Sequence, residues 1–234
     1  MTDIELDRNS ATGIIYDKSK SLSVDIKDIT FSYPSTDHSV FDHFNMSIGH
    51  GQHTHLVGEQ GSGKTTLLHM LAGIYRPASG SICFNDLPMD NYSMDSLRSV
   101  IGTYFKQEAI FDGTIEENIS LGRPDIDINR IQEVADKLLL TDFVKMQTKG
   151  FDTLIGPNGC RVSNSIIQKI LMARAIVHKP KLLLLESGID FMEEPSRKAI
   201  AEYIFSEDAP WTVVSSANTP EYLPKYKQIY PMKP

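Results

Sequence analysis

Apolar and polar residues alternate near the start of this chain, and the alternation predicts β-strands. From Ser23 onwards the apolar residues recur at every second or third position, at Val24, Ile26, Ile29 and Phe31. Such alternation is typical of strands with one buried face, and the turn-forming residues 34–37 interrupt it. We therefore expect a β-rich layer to open the domain, with these strands at the edge of a sheet.

The next segment has the order strand, glycine-rich turn, helix. Residues 53–57 form a short run that predicts a strand, and glycines follow at positions 58, 61 and 63. Between residues 65 and 73 the apolar residues recur at helical spacing, at Leu67, Leu68, Leu71 and Ala72.

The middle of the chain, between Glu108 and Val177, has mostly helical apolar spacing, which predicts a helical insertion. Its apolar positions are Ile128, Ile131, Val134, Leu138 and Leu139 in one segment and Ile166, Ile170, Ala173 and Val177 in another. Compact apolar strands return at Leu182–Leu185 and Thr212–Val214, on either side of a helical stretch around residues 200–204. The pattern predicts an α/β protein whose two ends enclose a helical middle.

The composition is that of a folded globular protein rather than a disordered or fibrous one. Of 234 residues, 41% are hydrophobic and 23% are charged. The formal charge of −7 lacks the basic excess of nucleic-acid-binding proteins, so DNA or RNA is not an expected partner. Cys83 and Cys160 do not form a CxxC pair, which predicts thiols in a reducing compartment rather than disulfides or a zinc site.

The sequence has no pattern expected of a membrane-inserting segment. No window approaches eighteen consecutive apolar residues, so we do not expect the chain itself to cross a membrane. Residues 1–20 carry scattered charges of both signs and no apolar block, unlike a signal or transit peptide. We interpret residues 1–22 as a linker.

Histidines cluster before position 70, and two of them could suggest a metal site. His53 and His55 would point to the same face of one strand. A third ligand at metal spacing is missing, so packed or solvated side chains are the favoured interpretation.

The strongest chemical signal is the segment Gly58–Thr65, GEQGSGKT, which fits the phosphate-binding pattern GxxxxGK[ST] between a strand and a helix. Glycines let backbone N–H groups curl towards phosphate oxygens, and the start of the helix adds its dipole. Lys64 is expected to reach the β- and γ-phosphates, and the Thr65 hydroxyl is expected to bind Mg²⁺. The flanking strand and helix disfavour the alternative, a glycine-rich turn without a ligand.

Three further segments decide between the protein classes that share such a loop. They are Phe31–Pro34, Gln107 after the apolar run Val100–Phe105, and Gly113–Ile119. With these residues the chain resembles the nucleotide-binding domain of ATP-binding cassette (ABC) transporters of the exporter type, from about Ser23 to Tyr230. The resemblance implies a P-loop NTPase (RecA-like) core with an N-terminal antiparallel β layer and an inserted α-helical subdomain.

The resemblance also implies a domain organisation and partners. Residues 1–22 would be a linker from a presumed transmembrane domain and residues 23–234 the nucleotide-binding domain, with the helical subdomain at roughly 108–178. In the family two such domains pair head to tail, here as a homo- or heterodimer. Each acts with a transmembrane domain in the same or a separate chain, which would place this chain at the cytoplasmic face of a membrane.

The resemblance names the residues that would bind ATP and Mg²⁺. Tyr33 would stack on adenine through its ring face, with an ordinary strand aromatic as the alternative. Gln107 would lie in the loop that senses Mg²⁺ and contacts the membrane domain. The full set is Tyr33, Gly58, Glu59, Gln60, Gly61, Ser62, Gly63, Lys64, Thr65, Thr66 and Gln107 for the nucleotide, and Thr65, Gln107 and Glu186 for Mg²⁺.

The chain departs from the family where the signature sequence LSGGQ should contact the ATP of the partner domain. The aligned segment has Ser163, Asn164 and Ser165, so one hydroxyl is kept and both glycines are lost. The added Cβ atoms stand where backbone N–H groups approach the phosphate, so ATP-driven closure should be weaker. The preceding segment, Thr153–Gly159, resembles an exporter segment that touches coupling helices but lacks its acidic residue.

The chemistry of hydrolysis is altered as well. Glu186 replaces the aspartate of the Mg²⁺ shell and keeps its charge on a longer side chain. Ser187 stands at the position of the catalytic glutamate, and Ala217, followed by Asn218, at that of the γ-phosphate-sensing histidine. No catalytic residue is then intact, unless a shifted alignment makes Asp190 or Glu193 the base.

Two functions from different classes fit these residues. The first is the ATP-binding domain of an ABC exporter, which couples Mg-ATP binding to export while hydrolysis is impaired. The second is a non-hydrolysing regulatory or structural module that pairs with a competent ABC subunit. A soluble cassette protein of DNA repair or translation would predict coiled-coil insertions or tandem cassettes, which this sequence lacks.

Overall fold

The computed structural model describes residues 13–34, 38–156, 162–186, 189, 194, 196–216 and 225–232. Its strands are β1 (Val24–Ser32), β2 (Ser39–Ile48), β3 (Thr54–Val57), β4 (Ser79–Phe84), β5 (Leu87–Pro88), β6 (Ile101–Tyr104), β7 (Gly113–Thr114), β8 (Leu154–Ile155), β9 (Leu182–Leu185), β10 (Thr212–Ser215) and β11 (Gln228–Pro231). Its α-helices are α1 (Lys64–Leu71), α2 (Met94–Arg98), α3 (Ile115–Ser120), α4 (Ile128–Lys137), α5 (Thr141–Lys145), α6 (Asn164–Ile176) and α7 (Ser196–Ile204). Short 3₁₀ helices occupy Met89–Asn91 and Gly150–Asp152.

An antiparallel sheet forms the first layer, in the order β2-β1-β4-β5. The alternating residues of β1 put Val24, Ile26 and Ile29 into the core. The predicted β layer is therefore confirmed, but the predicted edge position is wrong for β1, which pairs with β2 on one side and β4 on the other. Periodicity did not resolve β4 and β5, which come from a separate stretch of the chain.

Residues 13–22, part of the segment interpreted as a linker, pack beside this layer and contact the segment 91–96 that follows β5. Ile14 forms a parallel bridge with Tyr92. The backbone N–H of Tyr16 donates to Ser96 Oγ at 2.6 Å. Tyr16 and Leu22 are buried. This part of the segment is thus attached to the folded core.

A parallel sheet in the order β11-β3-β10-β9-β6 forms the second layer. All four leucines of β9 are buried because both faces of a parallel sheet are covered. Leu182 and Leu184 pack into the core that β1 and α1 share, whereas Leu183 and Leu185 pack against α6 and α7. The α/β fold predicted from the sequence is confirmed.

Between β6 and β9 the chain forms α3 to α6, as the helical spacing predicted. Helix α3 begins in a capping box, in which the Thr114 hydroxyl accepts from the Glu117 N–H and the Glu117 carboxylate accepts from the Thr114 N–H. Two short strands, β7 and β8, pair beside it and were not predicted. Within the described ranges, no helix has the length and apolarity of a bilayer span.

Candidate nucleotide-binding site

The turn between β3 and α1 has the backbone conformation that its glycines predict. Gly61 and Gly63 adopt φ values of 89° and 86°, in the left-handed region that favours glycine. At Gly63 a Cβ atom would also lie 2.9 Å from the Phe41 ring and from Val40 Cγ1. The loop is therefore held close to the β layer at a point that only glycine fits.

The Lys64 side chain folds back onto the loop and bonds three of its oxygen atoms. Its Nζ donates to the carbonyl oxygens of Gly58 and Glu59, both at 2.7 Å, and to Ser62 Oγ at 3.1 Å. Burial lowers the pKa of Lys64 from its usual value. The ammonium is thus held at the mouth of the loop by neutral oxygens, and the charge of a phosphate group would bind it more strongly.

Thr65 and Glu186 meet where β9 ends. Thr65 Oγ1 donates to Glu186 Oε1 at 2.8 Å, and Glu186 Oε2 accepts from the backbone N–H of Lys106 at 3.1 Å. A hydroxyl and a carboxylate are oxygen ligands of the kind Mg²⁺ prefers. Adjacent ligands of an octahedral Mg²⁺ lie about 2.9 Å apart, given metal–oxygen distances of about 2.0–2.1 Å. The pair therefore fits two neighbouring positions of a magnesium shell.

A cavity of about 560 Å³ opens above the loop and collects most of the predicted residues. It is lined by Tyr33, Val40, Gly58, Gln60, Gly61, Gly63, Lys64, Thr65, Thr66, Lys106, Glu186 and Ser216. Ser62 is buried under the loop, and Glu59 contributes its carbonyl to Lys64. The unpredicted members Val40, Lys106 and Ser216 come from segments distant in sequence.

Gln107 does not line this cavity, and its predicted contact with Mg²⁺ and the nucleotide stays a prediction. It is exposed in the turn after β6, and its neighbour Lys106 faces the cavity instead. The backbone N–H of Lys106 bonds Glu186, which fixes the orientation of the turn and brings residue 106 to the wall.

Tyr33 lies at one side of the cavity, inside an aromatic cluster. Its ring makes edge contacts with Phe31 and Tyr75, at centroid distances of 5.2 Å and 5.6 Å. Its hydroxyl lies 2.8 Å from Thr66 Oγ1, which ties the end of β1 to α1. Adenine stacking by Tyr33 stays a prediction.

The signature residues lie at the start of α6, away from the cavity wall. Ser163 caps the helix, since its Oγ accepts from the Ile166 N–H at 3.3 Å. Asn164 Oδ1 accepts from Gln168 Nε2 at 3.4 Å, so this side chain is engaged within its own helix. Ser163 and Asn164 are exposed and Ser165 is half-buried.

Several predicted positions lie outside the described residues. They are Ser187, Ala217 and Asn218 of the altered catalytic positions, the alternative bases Asp190 and Glu193, Cys160, and the last three residues of the segment Thr153–Gly159.

His53, just before β3, and His55, within it, are packed in the core. His53 and His55 are each 5% exposed. His53 Nδ1 accepts from the Val213 N–H at 3.1 Å, and the His55 ring packs 4.9 Å from that of Tyr226. Burial lowers the pKa of both imidazoles. No group of three potential metal-ligating His, Cys, Asp or Glu residues occurs in the described part of the chain.

The glycine loop with its lysine and threonine joins a strand to a helix, and a carboxylate follows a nearby parallel strand. These features together define a P-loop nucleotide-binding domain. The family profile described as "ABC transporter" matches residues 41–187, more than half of the chain. The chain therefore belongs to the ABC transporter family, and its fold is that of the nucleotide-binding domain.

Curated relatives agree with this assignment. The chain is 34% identical over 198 residues to "ABC transporter B family member 1" of Arabidopsis thaliana, an alignment that covers 84% of this chain and 15% of the relative. It is 33% identical over 178 residues to "Heavy metal tolerance factor 1" of Caenorhabditis elegans, covering 76% and 22%. The chain thus spans less than a quarter of the length of either relative.

A solved structure matches the fold closely. The structure of a bacterial Atm1-family ABC exporter with ATP bound superposes with a TM-score of 0.85, at 22% sequence identity. The match covers 95% of this chain and 38% of the other.

Proposed function

We propose that this domain binds Mg-ATP in the cavity above the glycine loop and couples that binding to export by a transmembrane domain, with hydrolysis impaired. The observation that carries the proposal is the Lys64, Thr65 and Glu186 arrangement at the end of β9. Lys64 and the loop amides would bind the phosphates, and Thr65 and Glu186 would hold Mg²⁺. Bound Mg²⁺ would neutralise part of the phosphate charge.

The shortage of carboxylates on the cavity wall supports impaired hydrolysis, because a carboxylate would have to act as the general base. Among the described residues that line it, Glu186 is the only carboxylate. Both of its oxygens accept hydrogen bonds, from Thr65 and from the Lys106 backbone, which suits a metal ligand rather than a base. Ser187 follows it in sequence where the family has a glutamate. Loss of a general base typically costs about 10²–10⁴ in rate.

The second half of each ATP site would come from a second nucleotide-binding domain, paired head to tail. Ser163, Asn164 and Ser165 stand outside this chain's own cavity, on the exposed start of α6. From there they could reach a nucleotide held by a partner. The Cβ atoms of Asn164 and Ser165 would keep the helix start further from that phosphate than glycines do, which weakens closure.

A groove of about 530 Å³ suits contact with the transmembrane domain. Its wall includes the exposed apolar residues Ile74 and Leu121, and Arg98 and Arg123 also line it. Exposed apolar surface of this kind marks an interaction site. Occupation by a transmembrane partner would hold the chain at the cytoplasmic face of the membrane.

The second candidate is a non-hydrolysing module that pairs with a competent ABC subunit. The same single carboxylate on the cavity wall favours it. It differs from the first candidate in its partner, because a competent subunit would then supply the turnover.

The test is to incubate the chain with Mg-ATP, remove free nucleotide at intervals, and identify what stays bound. We expect retained ATP, with little ADP over hours, and a large loss of retention in Lys64→Ala. Unchanged retention in that variant would refute the assigned site. Steady conversion to ADP by the unsubstituted chain, absent in Lys64→Ala, would refute impaired hydrolysis. Repeating the assay with a competent ABC subunit distinguishes the candidates, since turnover only in the mixture supports the second.

A further inference from the structure

The cavity wall carries a second lysine that the nucleotide-binding role of the loop does not use. Lys106 follows β6 and lines the cavity together with Lys64, Thr65 and Glu186. Its backbone N–H lies 3.1 Å from Glu186 Oε2, so its side chain starts beside the pair that fits Mg²⁺. The position is therefore at the metal end of the cavity rather than at the Tyr33 end.

The ammonium of Lys106 is available to a ligand. Within the described residues, it has no hydrogen bond or ion pair, whereas the ammonium of Lys64 has three partners. The side chain is exposed. A flexible four-carbon stem lets such an ammonium move to an anion in the cavity without a change of backbone.

The charged side chains of the wall attract an anion even before Mg²⁺ binds. Two lysines, Lys64 and Lys106, oppose one carboxylate, Glu186, among the described lining residues. Glu186 is itself satisfied by Thr65 and the Lys106 backbone before any metal binds. A triphosphate entering this cavity thus meets two cations and a carboxylate that already has its hydrogen bonds.

We propose that Lys106 is a second cationic ligand of the polyphosphate and makes nucleotide binding only weakly dependent on Mg²⁺. The inference rests on the proposed function, since it assumes that the cavity takes a nucleotide. A lysine ammonium and Mg²⁺ then neutralise the same phosphate charge, so each weakens the requirement for the other. The effect is reciprocal: bound Mg²⁺ reduces the contribution of Lys106 to ATP affinity, and Lys106 reduces the contribution of Mg²⁺.

The experiment measures the dissociation constant of ATP with excess Mg²⁺ and again with EDTA, by calorimetry on the whole chain. For the unsubstituted chain we expect the two values to differ by less than about tenfold. In Lys106→Gln, binding in EDTA should weaken by about tenfold or more, the scale of one charged hydrogen bond. Binding with Mg²⁺ should change much less, because the metal then supplies the charge.

Three controls make the test specific. Lys106→Arg keeps the cation and should bind as the unsubstituted chain does in EDTA. Lys145→Gln removes the same charge from the exposed end of α5 and should change neither constant. With AMP, which lacks the β- and γ-phosphates, Lys106→Gln should have no more effect than the Lys145 control.

The outcomes separate this inference from the proposed function. If the unsubstituted chain binds ATP only with Mg²⁺, and Lys106→Gln behaves identically, the role of Lys106 is refuted while the nucleotide site stands. If ATP binds under neither condition, the proposed function itself fails. Equal losses in Lys106→Gln and Lys145→Gln would also refute the inference, since they would reflect net charge alone.

Discussion

Asn118 is a buried polar residue that joins the loop after β6 to two helices, and its removal should destabilise the fold. Its side chain is fully buried. Oδ1 accepts from the Phe111 N–H at 3.0 Å and from Arg174 Nη2 at 3.1 Å. Nδ2 donates to the carbonyl oxygens of Phe111 and Thr114, both at 3.0 Å. One amide therefore joins the loop, α3 and α6.

Substitution by alanine would leave these four partners without their hydrogen bonds. Each bond contributes about 0.5–1.5 kcal/mol net, and buried groups left unpaired cost more. We expect Asn118→Ala to lower the free energy of unfolding by about 3–4 kcal/mol. That is a large part of the roughly 5–15 kcal/mol typical of a folded domain.

The assay is urea unfolding followed by the fluorescence of Trp211, the single tryptophan of the chain. Trp211 is 1% exposed, and its indole N–H donates to the Ile204 carbonyl at 2.8 Å, so unfolding changes its environment strongly. Asn118→Asp keeps the oxygen that accepts two hydrogen bonds but sets a second oxygen against the carbonyl oxygens of Phe111 and Thr114, so it should not restore the lost stability. Asn129→Ala, on the exposed face of α4, should change stability by less than about 0.5 kcal/mol. A loss below about 1 kcal/mol in Asn118→Ala would contradict the reasoning.

Two further substitutions test the packing of β6 against α6 and the protonation of a buried histidine. Gly102→Ala would place a Cβ 2.1 Å from the carbonyl oxygen of Ala175, which forces β6 and α6 apart. We expect a loss of more than about 2 kcal/mol in the same unfolding assay, and a loss below about 0.5 kcal/mol would show that the contact yields freely. Burial lowers the pKa of His178 to about 4 from 6.5, so the unfolded chain takes up a proton that the folded chain rejects. Stability should fall as pH falls from about 6.5 to 4, and His178→Gln should remove up to about 3 kcal/mol of that fall. Parallel pH profiles of the two proteins would contradict the assignment.

Local patterns in the sequence were enough to predict the main secondary-structure elements and the class of site. Alternation predicted β1, helical spacing predicted α4 and α6, and the glycine loop before Lys64 predicted the phosphate-binding turn. These features depend on a few neighbouring residues, because side-chain periodicity and glycine conformations are properties of short segments. The family resemblance then placed the loop in the ABC fold.

Contacts between residues far apart in sequence became visible only in the folded structure. Lys106 was not predicted for the cavity, yet it lines the wall, and its backbone bonds a carboxylate 80 positions away. The hydrogen bond from Arg174 to Asn118 and the close contact of Gly102 with Ala175 are equally invisible in the sequence, since both partners come from α6. Residues 13–22 have the composition of a linker, yet Tyr16 and Leu22 are buried. Contacts between distant segments depend on how the layers pack, and no local pattern encodes that packing.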